Sequence, residues 1–566
     1  MQARLLTTTA VTLIGAAVLL SGCNSSSSSS SATEPSDGAD SATTVSLSVL
    51  GQYRSGEYAR SAAEIVSYDP ASRRAFVINA ATRQVDVLDM NDPANPARLF
   101  SIDVSDIGAD ANSVAVKDGM VAVAVEAYER TDNGFVVLLD TDGNRLNVLE
   151  AGALPDALTF SPNGRYVLVA NEGEPNGEYT IDPEGSVSII DLSGGAQQAT
   201  VRTADFRAWN GREDALRAAG VRIFGPNASA AQDLEPEWVE VTQDSRTAYV
   251  SLQENNAIAV IDIEQATVTN IFALGFKDWS ENGAWSGRGF DASDRDGGIY
   301  IRHWPVRGIY QPDTIRLYET AGQTYIVTAN EGDARDYPGW TEEFRVGQLQ
   351  LDPQAFPDAA VLQQNDQLGR LRVTSTMGVS NGCNPSDKAT HVVTECVYDA
   401  LYAFGARSMS IFRVTDNGLV KVYDTGSQME EITAQRYPHD FNANNSENNS
   451  FDSRSDDKGP EPEGIALGEV DGRMYAFVGL ERIGGVMVYD ITEPEQTVFV
   501  QYINNRDFSL PNTPEALTTT DLGAEGLHFI PTVHSPDREG RPLLLVGNEV
   551  SGTTTVFVID RVAVED

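Results

Sequence analysis

The sequence predicts an all-β fold, a seven-bladed β-propeller with loop and short helical insertions. Three observations carry that expectation. One pattern recurs seven times: an acidic turn, a short apolar strand, a turn, and a second apolar strand ending on a further polar or acidic residue. Turn dipeptides such as Asp142-Gly143, Asn163-Gly164, Asp471-Gly472 and Gly484-Gly485 separate the apolar runs, as tight hairpins require. The first repeats start 48 and then 44 residues apart, at Glu64, Asn112 and Asp156. A period slightly above 40 with several short strands in each belongs to propeller blades rather than to a sandwich.

The elements follow in order. Val45 to Tyr53 alternates as a lone strand, expected to pair beside Thr555 to Val558 in the last blade and close the ring. The first unit starts at Ala63-Glu64-Ile65, runs through Ala75 to Asn79 and closes with Val85 to Asp89. The second starts at Ala111-Asn112 and continues through Val121 to Glu126 and Phe135 to Asp140. The third, fourth and fifth start at Asp156, Glu237 and Asp313; the sixth and seventh start at Glu463 and Glu525. Insertions fall at about 203–231, 276–310, 332–394 and 427–458. The first holds a short helix, Glu213 to Ala219, ended by Gly220 as the residue after its cap. Ala400 to Phe404 and Ser408 to Phe412 are expected to return to the fifth blade.

Stacked repeats share one core, so residues 45–566 read as a single propeller domain despite a length of 566 residues. A net charge of −42 repels phosphate and excludes nucleic acid or an anionic bilayer as the binding partner. It favours cations, or a merely solvated acidic surface.

Arg4 followed by the apolar run Val11 to Leu20 is of signal-peptide length and too short to span a bilayer. Residues 1–22 therefore read as a signal peptide. Leu20-Ser21-Gly22-Cys23 resembles a bacterial lipobox, which implies cleavage before Cys23 and lipidation of that residue. Asn24 after it implies an outer-membrane or cell-surface destination, with membrane contact only through the lipid. Residues 23–44 form a Ser-rich tether. In such an oxidising compartment the two remaining cysteines, Cys383 and Cys396, are expected to form a disulfide, stabilising the closed loop by roughly 3 kcal/mol in the chain-entropy picture.

In a propeller blade the innermost strand starts on the face to which the second strand returns. The starts Glu64, Asn112, Asp156, Glu237, Asp313, Glu463 and Glu525 should therefore meet the ends Asn79, Glu126, Glu172, Glu254, Glu331, Glu481 and Glu549 around one mouth. Twelve of these fourteen are carboxylates. Two carboxylates about 4 Å apart repel by roughly 4 kcal/mol at an effective dielectric near 20, so the group must take up protons, pair with bases, or bind a cation. Oxygen-only ligands suit Ca²⁺ or Mg²⁺. The expected set is Glu64, Asp156, Glu172, Glu237, Asp313, Glu331, Glu463, Glu481, Glu525 and Glu549. The five histidines show no zinc spacing. The alternative is a structural ring in which the acids cap turns and pair with Arg302, Arg335, Lys458 and Arg482.

A carboxylate-held metal beside Arg and Lys suits a small phosphorylated substrate, because the metal polarises the phosphoryl oxygen and activates water. On that reading Arg302, Arg335, Lys458 and Arg482 bind phosphate, and Glu463, Lys458 and Arg335 form the catalytic group. The alternative is a non-catalytic calcium-binding surface that engages a cell-surface or mineral partner. Asp291 to Gly298 is acidic, but an EF-hand register would place Ala292 first and His303 last, so that reading fails. No HExxH or P-loop pattern is present.

Several motifs together resemble one family. They are Asn171-Glu172-Gly173-Glu174-Pro175, Ser293-Asp294-Arg295-Asp296-Gly297-Gly298, Asn330-Glu331-Gly332-Asp333-Ala334-Arg335-Asp336-Tyr337, Lys458-Gly459-Pro460-Glu461-Pro462-Glu463-Gly464 and Gly547-Asn548-Glu549. They resemble the choice-of-anchor I family, related to mesenchyme-specific cell-surface glycoproteins of biomineralising embryos, over roughly Val45 to Asp560. The resemblance implies a secreted propeller whose tether varies among members, often labelled alkaline-phosphatase-like. The nearer chemical analogy is a calcium-dependent, phytase-like propeller, at the level of fold alone.

Overall fold

Strands form where β-branched and aromatic side chains cluster. Met120–Val125, Tyr166–Asn171 and Leu543–Asn548 are second strands of their sheets, and nearly every residue in them is buried. Such residues suit a strand covered on both faces. The outer strands Ala97–Asp103 and Thr267–Ala273 instead leave most of their residues at least partly exposed. The computed structural model describes residues 43–386 and 395–563. The expected signal peptide, the lipidated Cys23 and the tether as far as residue 42 lie outside the described residues, while Thr43 and Thr44, expected in the tether, begin the first strand.

The chain is mostly β and propeller-like, with seven four-stranded sheets. In six of them the strands stand in chain order, beginning with Val66–Asp69, Ala111–Lys117, Pro155–Phe160, Pro236–Val241, Ile315–Thr320 and Pro462–Val470. The seventh starts with Ala524–Ile530, continues through Leu543–Asn548 and Thr553–Ala563, and takes Thr43–Arg54 as its outer strand. The lone N-terminal strand is thus placed where its alternation suggested. Each first strand touches the first strand of the next sheet, and Ala524–Ile530 touches Val66–Asp69.

Packing between sheets is apolar. Phe76 and Val87 of the first meet Val123 and Val137 of the second, while Tyr475 and Phe477 of the sixth meet Leu544 and Phe557 of the seventh. Full burial of each such side chain contributes about 2 kcal/mol.

Two insertions fold together, against expectation. Ser408–Thr415 does return to the fifth sheet, pairing with Gln323–Asn330, but Ala400 to Phe404 does not. Tyr402–Ala403 instead joins Phe276–Asp278, Arg307–Ile309, Arg372–Thr374 and Glu343–Arg345 in a separate five-stranded sheet. The cause is a core of its own: Trp279, Phe290, Trp304, Leu371, Val373 and Tyr398 pack together, and Phe404 packs on Ile309 and Tyr402. Cys383 and Cys396 are bonded beside that core. Insertion 427–458 carries a helix, Gln428–Arg436. The helix Glu213–Ala218 ends as anticipated. Gly220 has φ +96°, its N–H donates to Arg217 O, and the Val221 N–H donates to Leu216 O, which satisfies two orphaned carbonyls.

Candidate functional site

The site is built by irregularities at the starts of the inner strands. In the third sheet Pro155 pairs with Asn171 but the next pair is Leu158 with Val169; one extra residue is accommodated on the inner strand. The same shift falls between Pro236 and Val239, Pro462 and Ile465, and Ala524 and Leu527. A bulge of this kind re-aims a side chain, and the residues inside the four bulges include Asp156, Glu237, Glu463 and Glu525. Asn112 sits in the equivalent irregularity of the second sheet.

All seven starting residues, Glu64, Asn112, Asp156, Glu237, Asp313, Glu463 and Glu525, line one cavity of about 390 Å³. Close approach of adjacent strands makes this convergence. A Cβ on Gly464 would lie 1.6 Å from Glu525 O, and one on Gly526 would lie 2.1 Å from Glu64 O. Among the strand-end residues, Glu126 and Glu331 line the same cavity, with Glu172, Glu254 and Glu481 buried. Asp313, Glu331 and Glu463 can each bring one carboxylate oxygen to within 4.8 Å of the others, as can Glu331, Glu461 and Glu481, and Glu172, Glu235 and Glu254. Asn79 does not join them; it is buried and donates to Asp86 at 3.1 Å.

A family model for the choice-of-anchor I domain matches residues 64–494. The chain belongs to the choice-of-anchor I family. It is 30% identical over 303 residues to the mesenchyme-specific cell surface glycoprotein of Strongylocentrotus purpuratus, covering 48% of this chain and 37% of that one. It is 34% identical over 204 residues to Gigasin-3a of Magallana gigas, covering 35% of this chain and 66% of that one. The match thus spans less than two thirds of either relative, and neither is named as a phosphatase. Among solved structures, Kuenenia stuttgartiensis hydrazine synthase aligns over 91% of this chain and all of that one, at 13% identity and a TM-score of 0.44. Streptogramin B lyase aligns over 92% of this chain and 98% of that one, at 9% identity and a TM-score of 0.42.

The mouth of this choice-of-anchor I domain is lined by nine carboxylates, with Asp333 joining those above, against three cations: Arg130, Lys458 and Arg482. Burial, reinforced by neighbouring acids, raises Glu64, Glu172, Glu237, Asp313, Glu463 and Glu525 well above the ordinary carboxylate range. Burial likewise pushes Asp156 and Asp333 up to about 7 and Glu254 to about 8, and it raises Glu481 and Glu549. Glu461 goes the other way. Burial opposes its charge, but Lys458, Arg482 and Arg454 hold it far below the usual range. Glu461, ringed by three bases, is therefore held ionised, while the acids raised by burial are crowded against one another.

The cations do not form the expected phosphate cradle. Lys458 Nζ lies 2.9 Å from Glu331 Oε1 and 3.1 Å from Glu461 Oε2. Arg482 is 2.9 Å from Glu461 and 2.8 Å from Glu481. Both line the cavity but are already paired. Arg335 is fully buried, donating to Glu235 at 3.0 Å and to the Asp233 carbonyl at 2.8 Å, with the Asp233 carboxylate also bonded. Arg302 stands over Trp304 and donates to Gln367, away from the mouth. Arg302 thus stands apart from the acids, while Arg335 meets Glu172 and Glu254 through Glu235, which shares their cluster.

Three participants were missed: Glu461, Asp333 and Arg130. Glu461 stands two residues before Glu463 in one motif, and Asp333 stands two after Glu331 as Glu174 does after Glu172; that spacing was the available signal. Arg130, which pairs with Glu174, carried none. The residues present suit a hard cation. Glu237, Glu463 and Glu525 each keep one buried carboxylate oxygen with no hydrogen-bond donor, and buried unpaired acceptors are costly to leave unmet.

Proposed function

We propose that this protein is an extracellular, seven-bladed, ring-closed propeller whose acidic mouth holds a divalent cation, Ca²⁺ (or Mg²⁺), and that it acts as a cation-dependent binding module. The observation that carries the reading is the meeting of Asp313, Glu331 and Glu463 with ligand oxygens inside 4.8 Å, one carboxylate oxygen of Glu463 being buried without a donor. Oxygens bound to one Ca²⁺ at about 2.3–2.6 Å stand at most about 5 Å apart, so three carboxylates at this separation can share an ion. Seven sheets and the contact between the first and last inner strands support the ring. The cell-surface name of one relative, the disulfide and the lipobox-like leader support a location outside the cytoplasm, tethered by lipid at Cys23.

Phosphoester hydrolysis is the weaker reading. A phosphate needs free positive charge beside the metal, and the three bases that line the cavity are spent on Glu174, Glu331, Glu461 and Glu481. The partner of a calcium-loaded mouth is then a cell-surface or mineral-associated ligand.

Calorimetric titration of chelator-treated protein with Ca²⁺ tests the proposal. Binding should be accompanied by a rise in melting temperature equivalent to about 4 kcal/mol at a thousandfold excess over Kd. A purified protein without metal, whose melting is indifferent to Ca²⁺ and chelator alike, would leave the acids as a purely structural ring. Hydrolysis of a chromogenic phosphate ester, abolished by chelator and by Glu463→Gln, would restore the catalytic reading.

A further inference from the structure

The inner strands that bring acids to one cavity form a second cavity with their other ends. It has a volume of about 430 Å³ and shares only Ile65, Ser113 and Trp238 with the first. Arg316 divides the two: its guanidinium stacks 4.5 Å from the Trp238 ring, donates to Ile465 O at 2.8 Å and pairs with Glu240.

The chemistry on the far side of that partition is opposite. Val116, Leu317, Leu467 and Phe529 line it, each packed on one side against the sheets and only partly buried. Its charges are Lys117, Arg316 and Glu240. Since Glu240 is taken by Arg316, Lys117 is the positive charge of the lining that makes no ion pair, with the Asp118 carboxylate near it beside Gly164, in a chain whose net charge is −42. Lys117 makes no ion pair or side-chain hydrogen bond among the described residues, and the side chain of His528 has no hydrogen-bond partner there. Burial holds His528 down to about 4, so its ring is neutral and offers one donor and one acceptor. Asp118, next in the chain, is exposed and outside the lining. An apolar concavity with a few unengaged polar groups is the ordinary form of a small-molecule site.

We infer that this second cavity binds a small apolar molecule carrying one anionic group, with the apolar body against Leu317, Leu467 and Phe529 and the anion at Lys117 and His528. The inference is independent of cation binding at the acidic mouth.

The test uses the whole chain and the fluorescent probe 8-anilinonaphthalene-1-sulfonate, which has an aromatic body and one sulfonate. The wild type should give saturable, one-to-one fluorescence enhancement. Lys117→Glu should weaken it at least tenfold, Lys117→Arg should retain it, and Leu467→Trp should abolish it by filling the space. Melting temperatures of the variants within a few degrees of the wild type show that the fold is intact. The uncharged analogue N-phenyl-1-naphthylamine should bind at least tenfold more weakly than the sulfonate. Enhancement that does not saturate, or that Leu467→Trp leaves unchanged, overturns the site. Equal binding of the two probes, or binding indifferent to Lys117→Glu, overturns the anionic preference.

Discussion

Lys458 Nζ sits 2.9 Å from Glu331 Oε1 although 127 residues separate the two. The contact joins the end of the second strand of the fifth sheet to the loop that leads into the sixth. It also divides the mouth into an arc of acids paired with bases, Glu331, Glu461 and Glu481, and one running from Glu463 through Glu525 and Glu64 to Glu237, whose named acids make no ion pair among the described residues.

Lys458→Met should be strongly destabilising. It leaves Glu331 and Glu461 without one of their cations in a buried setting, a change that costs about 3–5 kcal/mol. Thermal or urea unfolding in chelator would measure the loss; unchanged stability would mean that the acids are fully served by Arg482 and Arg454.

Glu463→Gln should act in opposite directions on the free and the loaded protein. Gln has no charge to crowd its neighbours and no proton to take up, so melting in chelator should rise. Losing a ligand oxygen's charge should weaken Ca²⁺ at least tenfold, about 1.4 kcal/mol. A calorimetric Kd equal to that of the wild type would remove Glu463 from the ligand set.

Acidity should move the metal-free protein in a defined sense. Asp156, Glu254 and Asp333 have folded values near 7, 8 and 7, above those of the unfolded chain. Between about pH 4 and 8 the native state therefore binds more protons than the unfolded one. Their contribution is fully present below the unfolded values and is lost as pH rises through the folded ones. Stability in chelator should fall from pH 5 to 8, while Ca²⁺ affinity should climb as the competing protons leave. Glu461, shifted the other way, loses its contribution only on acidification below the ordinary carboxylate range, outside this window. A melting temperature rising steadily with pH in chelator would contradict the assignment.

Gly464→Ala should spread the mouth. The added Cβ meets the backbone carbonyl of Glu525, which has no flexible side chain to yield, and overpacking of this kind costs about 1–3 kcal/mol. The variant should melt lower and bind Ca²⁺ less tightly; wild-type behaviour in both would show that adjacent inner strands can part without consequence.

Much of this was legible in the chain because the signals were local. Asp156, Glu237, Glu463 and Glu525 each precede an apolar run at a fixed place in the repeat, so their convergence followed from repetition alone. The end of the helix at Gly220 and the bond between Cys383 and Cys396 were legible for the same reason. The five-stranded insertion sheet was not: its strands are two or three residues long and come from segments more than a hundred residues apart, too short for any periodicity. Nor could the sequence show that Arg335 is caged by Asp233 and Glu235, about a hundred positions upstream, because an Arg in an acidic motif looks the same whether it faces a ligand or its own scaffold. Asn79 misled by alignment: it matches Asn171 and Asn330, the residues before the end acids, rather than the acids themselves.

The outer strand of the seventh sheet comes from Thr43–Arg54, while its other three strands are the last of the described chain. Assembly of that sheet must therefore wait until some five hundred intervening residues have been made. Until then the leading segment is an unpartnered strand with open backbone donors and acceptors, the kind of edge that recruits foreign chains. Long-range pairing of this sort is intrinsically slow, so the interval between emergence and fastening is when this molecule is most exposed to misassembly.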